Sequence, residues 1–166
     1  MTNIKTLLFD AFREDHAVLG RGLYELETAL AGGDVALAKT LATDLDQSAG
    51  AHIAFEEADF YPALKAFLSS AEVEEMYADH SDGACLLSQI DAINAETPLS
   101  GADQERLLAA VRKMEQHVSE CGELFGALGG LNEQEMERLY QRLENWRVKA
   151  PRWSDIEGKD LASGEL

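Results

Sequence analysis

Residues 51–62 decide how this chain folds, and they read AHIAFEEADFYP. In an α-helix the side chains of His52 and Glu56, four residues apart, lie on one face about one turn from each other. A histidine and a carboxylate in this arrangement can share one metal ion or begin a two-metal site, if other helices bring more nitrogen and oxygen ligands. The positions of the remaining histidines therefore decide what this stretch means.

The composition is that of an acidic globular domain. The chain has 166 residues, of which 46% are hydrophobic and 27% are charged, and its formal net charge is −17. A chain of this length buries a single core. Because such a negative protein repels phosphate groups, we expect no nucleic-acid partner, and solubility is the ordinary interpretation of the acidity.

No segment of the sequence predicts export or membrane insertion. No apolar run approaches the roughly 20 residues that a membrane-spanning helix requires. Residues 1–6, MTNIKT, do not begin a signal peptide, because no small-residue cleavage site follows an apolar region. The two cysteines, Cys85 and Cys121, are too few for a disulfide framework. We therefore expect a cytoplasmic protein that does not associate with a membrane.

Hydrophobic periodicity and capping signals predict an all-α chain. The predicted helices run from about Thr6 to Ala31, from Val35 through Phe60, from the Ser69 cap through Ile90, from about Ala102 to Leu128, and from the Asn132 cap to about Val148. Pro62 should kink or end the second helix. Long helices joined by short connections favour an antiparallel up-and-down four-helix bundle with a short fifth C-terminal helix, rather than another all-α packing. We assign residues 1–150 to the bundle domain and 151–166 to a polar tail, loose apart from Trp153.

The four histidines, His16, His52, His80 and His117, fall one on each long helix, and each lies on the apolar stripe. His16 and His52 are at similar distances from the first turn, and His80 and His117 from the loop at Pro98, so each pair should meet at one depth. Buried imidazoles and a buried carboxylate at one level cost free energy unless they bind something. Nitrogen and oxygen donors together suit iron, zinc or manganese. The alternative is a set of hydrogen-bonded core histidines.

This set of residues resembles the hemerythrin-like, or HHE cation-binding, family. The segment HIAFEEADFYPAL (52–64) is similar to its second-helix signature, while REDHAVLGRGLYELETAL (13–30) and EEMYADHSDGACLLSQI (74–90) are similar to the first and third. The resemblance covers about residues 5–128. It implies a non-haem di-iron site in the bundle core, with one or two iron ions per chain and zinc as the alternative metal. The implied metal ligands are His16, His52, Glu56, His80 and His117.

The fourth helix departs from the family pattern. The family carries His-x-x-x-Glu there, and its Glu bridges the irons, whereas here Cys121 follows His117 by four residues. Cys121 lies near the centre of the inner stripe, and Glu120 lies roughly 90° away unless a π-bulge turns it inward. Both are further candidate metal ligands, and Met76 stands where oxygen-carrying members place a further histidine. We therefore expect fewer than two ions per chain, with the stronger ion beside the first two helices.

The resemblance implies a metal-binding protein that binds or senses dioxygen, peroxide, nitric oxide or iron, so its partner would be a small molecule. One alternative is an enzyme that reduces peroxide or repairs iron centres, and another is a degraded site that holds zinc or nothing. Glu57 points about 100° from Glu56, which predicts a surface or supporting role. Tyr24, Tyr61 and Tyr77 are interpreted as core residues, with the alternative that a hydroxyl reaches the site.

Overall fold

The computed structural model describes residues 3–161, and this range contains helices and no strand. The α-helices are α1 (Ile4–Ala31), α2 (Val35–Phe55), α3 (Tyr61–Leu64), α4 (Ser70–Asp91), α5 (Gly101–Phe125), α6 (Glu133–Lys149) and α7 (Trp153–Ile156). A π-helical turn, Glu56–Phe60, joins α2 to α3, and a 3-10 turn, Gly126–Gly130, follows α5. The predicted all-α class is confirmed. Within residues 3–161, no helix has the length and apolarity needed to cross a membrane.

Side-chain caps fix where the long helices begin. The Ser69 hydroxyl accepts the Glu72 amide hydrogen while the Glu72 carboxylate accepts that of Ser69, which is a complete capping box. Asn132 and Glu135 form the same reciprocal pair at the start of α6. Asp34 caps α2 with its side chain. All three predicted starts are confirmed, because they depend only on residues within one turn of each other.

The four long helices surround one core. Helix α1 packs against α2 and α5, and α4 packs against the same two helices, so the four form a ring. Their buried apolar side chains belong to one continuous cluster. Helix α6 lies against α1 and α2 on the outside of the ring. The long helices therefore form an all-α bundle with one further helix packed on its outside.

An aromatic cluster lies next to the first two histidines. The rings of Phe12 and Phe125 stack with their centroids 3.6 Å apart and an interplanar angle of 7°. Phe60 packs edge-on against both, at centroid distances of 5.5 Å and 5.1 Å. The Phe12 ring also lies 4.3 Å from the His16 imidazole. The cluster therefore gives one side of the histidine layer a dry, apolar wall.

Pro62 changes the second helix upstream of itself. A proline cannot donate a backbone hydrogen bond, and its ring crowds the carbonyl four residues before it. Over Glu56–Phe60 the backbone widens into a π turn, and the Tyr61 amide donates to the Glu56 carbonyl, five residues back. The prediction that Pro62 disturbs this helix is confirmed. The regular helix ends at Phe55 rather than near Phe60, because the widened turn comes before the proline.

Residues 151–161 dock on the bundle through α2. Trp153 and Ile156 are each 1% exposed, and Leu161 is also buried. Asp46 accepts hydrogen bonds from the Ser154 amide at 2.7 Å and from its hydroxyl at 2.9 Å. The prediction of a loose tail is wrong for these residues, because their few apolar side chains are the ones that pack. Residues 162–166 lie outside the described range, and the domain boundary at residue 150 stays a prediction.

Gly50 allows the tail to approach α2 this closely. A Cβ added at Gly50 would overlap the Pro151 carbonyl oxygen and would lie 2.7 Å from the Trp153 amide nitrogen. Both neighbours are backbone atoms, so they cannot rotate away as a flexible side chain would. Any side chain at position 50 must therefore displace the docked segment.

We expect Gly50→Ala to lower the free energy of unfolding by roughly 1–3 kcal/mol, the usual cost of overpacking. Gly20→Ala is the matched control, because a Cβ added there in α1 would meet nothing within 4 Å. That change should instead stabilise the protein by about 0.5–1 kcal/mol through the higher helix propensity of alanine. Urea unfolding of both variants measures the difference, and equal stabilities would contradict the docking of residues 151–161.

Candidate metal centre

The four long helices bring all four histidines and Glu56 to one level of the bundle. The ring centroids of His16 and His52 are 4.7 Å apart, and those of His80 and His117 are 4.9 Å apart. Glu56 lies between the pairs, with Oε1 3.3 Å from His52 Nε2 and Oε2 3.1 Å from His80 Nε2. The predicted meeting of each histidine pair is confirmed.

The first half-site consists of His16, His52 and Glu56 Oε1, and its ligand atoms lie within 4.8 Å of one another. His16 Nε2 is 3.0 Å from the Val118 carbonyl oxygen. Because a carbonyl only accepts, this nitrogen carries the proton and His16 Nδ1 keeps a free lone pair.

The first half-site contains buried polar atoms without hydrogen-bond partners. They are His16 Nδ1, both ring nitrogens of His52, and Glu56 Oε1. The 3.3 Å contact between His52 Nε2 and Glu56 Oε1 does not have the alignment of a hydrogen bond. Unpartnered buried polar atoms are costly, so each of the four needs an explanation. Two imidazoles and a carboxylate oxygen around one point form a donor set that fits a divalent transition-metal ion.

The second half-site consists of Glu56 Oε2, His80, His117 and Cys121. The ligand atoms of Glu56, His117 and Cys121 lie within 4.8 Å of one another. Cys121 points inward, as its place on the apolar stripe predicted, and its Sγ is 3.4 Å from His117 Nε2. Burial raises the pKa of the Cys121 thiol, so a thiolate forms here only beside a cation.

Glu120, the other candidate ligand on this helix, lies outside both half-sites. Its carboxylate is exposed and accepts a hydrogen bond of 2.8 Å from Gln116 Nε2. Helix α5 stays α-helical from Gly101 to Phe125, so no π-bulge turns Glu120 inward. The widened turn falls in the second helix instead.

Tyr61 reaches the centre of the second half-site. Its hydroxyl oxygen is 2.8 Å from His80 Nε2 and 3.2 Å from His117 Nε2. The same oxygen is 3.4 Å from Glu56 Oε2 and 3.5 Å from Cys121 Sγ. The interpretation of Tyr61 as core alone is therefore wrong, and its alternative, a hydroxyl that reaches the site, is correct.

The π turn brings Tyr61 to a face of the helix that regular periodicity does not predict. In a regular α-helix a residue five positions after Glu56 points about 140° away from it. A π turn holds more residues per turn and returns Tyr61 to the face of Glu56. Pro62 is the sequence signal for a distortion here, but it does not specify the number of residues in the distorted turn.

The hydroxyls of Tyr24 and Tyr77 do not lie among the candidate ligand atoms. Tyr24 is 64% exposed, so its interpretation as a core residue is wrong. Tyr77 is half-buried, and its hydroxyl donates to the Glu57 carbonyl at 2.7 Å. It therefore fixes the backbone next to Glu56, and its ring packs edge-on against that of Tyr61 at a centroid distance of 5.1 Å.

Each histidine of the second half-site has a carboxylate within hydrogen-bond distance of its Nδ1 atom. Glu57 Oε1 lies 3.0 Å from His80 Nδ1, which confirms a supporting role for Glu57. Asp79 Oδ2 lies 3.1 Å from His117 Nδ1, and Lys113 Nζ lies 2.9 Å from the other Asp79 oxygen. A carboxylate behind Nδ1 accepts its proton and orients the Nε2 lone pair toward the centre, the usual arrangement behind a metal-ligating histidine.

A looser contact supports His52. Asp15 Oδ2 lies 3.9 Å from His52 Nδ1, beyond hydrogen-bond distance. Arg147 of α6 holds Asp15 in place, with Nη2 2.7 Å from Asp15 Oδ1. Helix α6 is therefore linked to the level of the histidines and Glu56 through the ion pair between Arg147 and Asp15.

Burial and the neighbouring charges set the protonation of the centre. Burial lowers the pKa of His16 to about 4. Burial also opposes a charge on His80, but hydrogen bonds that its ring N–H groups donate to Glu56 and Glu57 raise the pKa of His80 to about 9. Although burial raises the pKa of Glu56, His52 and His80 hold it well below its usual range. At neutral pH and without metal, a proton on His80 therefore balances an ionised Glu56.

A cleft of about 510 Å³ between α4 and α5 connects the surface to the second half-site. Its lining includes the buried residues His117 and Cys121. The exposed carboxylates of Glu72, Glu75 and Glu120 lie nearer the surface. A small molecule can therefore reach the ligands from this side, past a negatively charged mouth.

The comparison with protein families agrees with this arrangement of ligands. The family model described as hemerythrin HHE cation binding domain matches residues 7–146. This range begins in α1, ends in α6 and includes every residue of both half-sites. Neither the curated proteins nor the solved structures contain a match to the chain. Because the matched range is most of the chain, this protein belongs to the hemerythrin HHE cation-binding domain family.

Proposed function

We propose that this protein binds iron on both sides of Glu56 and uses it to bind or sense a small molecule such as dioxygen, peroxide or nitric oxide. The observation that carries the proposal is the set of four buried, unpartnered ligand atoms on His16, His52 and Glu56. Iron is favoured over zinc because two imidazoles and one carboxylate are the donor set of many non-haem iron sites. Bound iron would supply exchangeable coordination positions and redox chemistry.

The cleft supports a small ligand of low charge. The carboxylates of Glu72, Glu75 and Glu120 outnumber the one cationic side chain of the lining, Lys113. A negative mouth repels anions and admits neutral molecules or cations. Dioxygen, nitric oxide and hydrogen peroxide are neutral, and ferrous iron is a cation, so each can use this route.

A second candidate function is peroxide reduction. It is favoured by two oxidisable side chains, the Cys121 thiol and the Tyr61 phenol, which lie 3.5 Å apart beside the cleft. Both cysteines are free thiols, which also supports the predicted cytoplasmic location. Consumption of peroxide over many turnovers would favour this function over reversible binding.

The first test of iron binding is Glu56→Gln. This change keeps the shape of the side chain but removes the charge shared by both half-sites. We expect iron(II) affinity to fall by more than the roughly 10–100-fold that loss of a supporting residue causes. Glu120→Gln makes the same chemical change on an exposed carboxylate and should bind iron like the wild type. Iron per chain after dialysis measures both, and wild-type affinity in Glu56→Gln would contradict the site.

Binding of iron to the folded state alone should stabilise it by mass action. We therefore expect iron to raise the melting temperature of the wild type and of Glu120→Gln, and a chelator to reverse the increase. The same additions should leave Glu56→Gln unchanged.

His80 should make the stability of the metal-free protein depend on pH. Its pKa is about 9 in the folded state and 6.5 in the reference state, so its stabilising contribution is complete below about pH 6.5. The contribution is lost as pH rises through 9, and we expect the free energy of unfolding to fall by up to roughly 3 kcal/mol. In His80→Gln this part of the decline should disappear. Urea unfolding at several pH values measures it, and parallel curves for the two proteins would contradict the ion pairs of His80.

The small-molecule function is tested with reduced, iron-loaded protein. We expect nitric oxide or dioxygen to change its visible spectrum, and zinc-loaded protein to show no change. Leu124 lines the cleft, so Leu124→Trp should slow the reaction without changing the iron content. Leu37→Trp adds the same bulk at an exposed position of α2 and is the control. An iron-loaded wild type that responds to neither gas nor peroxide would contradict the proposed function.

A further inference from the structure

The polar atoms of the second half-site have the spacing of a ligand shell. The Tyr61 hydroxyl oxygen lies 2.8 Å from His80 Nε2 and 3.2 Å from His117 Nε2. It lies 3.4 Å from Glu56 Oε2 and 3.5 Å from Cys121 Sγ. Two further separations are 3.1 Å between Glu56 Oε2 and His80 Nε2, and 3.4 Å between Cys121 Sγ and His117 Nε2.

These separations match those of atoms that share one metal ion. Nitrogen and oxygen ligands about 2.1 Å from an ion lie roughly 3.0 Å apart in an octahedral shell and 3.4 Å apart in a tetrahedral one. The six distances above run from 2.8 Å to 3.5 Å and so bracket both values. The Tyr61 oxygen belongs to this group of atoms, because four of the six distances are measured to it.

When the site is in the protonation state that binds metal, the Tyr61 hydroxyl cannot donate a hydrogen bond to every acceptor around it. Metal binding requires neutral imidazoles. The Nδ1 protons of His80 and His117 then face Glu57 and Asp79, so both Nε2 atoms turn a lone pair toward Tyr61. Glu56 Oε2 also accepts only. One phenol proton can serve one of these three acceptors, and a cation can serve them all.

We propose that Tyr61 is a metal ligand, a phenolate that completes the second half-site in place of the carboxylate absent from position 121. This inference rests on the proposed function, because it requires that the centre holds iron. When the phenolate binds, the O–H bond of Tyr61 breaks, its proton passes to solvent, an iron–oxygen bond forms and no electron moves. The second ion is then held by His80, His117, Tyr61 and the shared Glu56, with Cys121 beside it.

Two features of the chain allow Tyr61 to act as this ligand, the short side chain at position 121 and the π turn before Tyr61. Cysteine is shorter than glutamate, so position 121 leaves room for the Tyr61 hydroxyl next to His117. The π turn directs Tyr61 into that room. With Tyr61 as a ligand, the centre holds about two ions per chain. The expectation of fewer than two ions was based on the missing carboxylate at position 121 and on Met76 in place of a further histidine, and it did not include Tyr61 as a ligand.

The test uses the full chain loaded with ferrous iron without oxygen and then oxidised with ferricyanide, which removes one electron from each iron. We expect a visible phenolate-to-iron charge-transfer band, resonance-enhanced tyrosine ring vibrations, and about two irons per chain. Tyr61→Phe keeps the ring and should lose the band, the vibrations and about one iron per chain. Tyr24→Phe, on an exposed tyrosine of α1, should match the wild type. Cys121→Ser should keep the ring vibrations, which separates the phenolate from a thiolate.

The possible results distinguish the failure of each proposal. Iron bound by the wild type without tyrosine vibrations would overturn the phenolate ligand and leave the proposed iron binding intact. If the tyrosine vibrations or the second iron persist in Tyr61→Phe, the phenolate ligand is also overturned. Tyr61 of the wild type would then be a neutral phenol beside the ions. No iron in the wild type at all would overturn both proposals.

Discussion

Glu56 is 1% exposed and ionised, and its two oxygens face opposite pairs of imidazoles. A buried carboxylate without compensation costs several kcal/mol, so the surrounding structure must provide positive charge on both sides. Without metal, one proton on His80 serves one side and leaves Glu56 Oε1 without a hydrogen bond. A divalent cation on that side would balance the carboxylate and coordinate the unpartnered lone pairs of His16 and His52. Each of the four long helices contributes one histidine to this layer, so the layer links all four.

The residues that surround the ligands are also arranged around the buried charge of Glu56. Asp79 and Glu57 orient the histidines of the second half-site, and Lys113 offsets part of the negative charge they add. On the other side the stacked rings of Phe12 and Phe125 replace water with apolar surface. The centre therefore has one wet and one dry side, and a small molecule would arrive from the wet side.

Features that depend on local periodicity could be predicted from the sequence. The caps of Ser69 and Asn132 and the levels of the histidine pairs need only helix geometry and the lengths of the connections. Tyr61 could not be placed this way, because one π turn rotates every later side chain of the helix. The docking of Trp153 on α2 could not be predicted either, because it depends on a close approach at Gly50 that involves residues about a hundred positions away.

The most direct test of the account is to locate the metal. Crystals of the full chain loaded with iron, measured on both sides of the iron absorption edge, would show each ion by its anomalous scattering. The account predicts one peak among His16, His52 and Glu56, and another among Glu56, Tyr61, His80 and His117. Iron bound only at surface carboxylates, or no peak within coordination distance of Glu56, would contradict it.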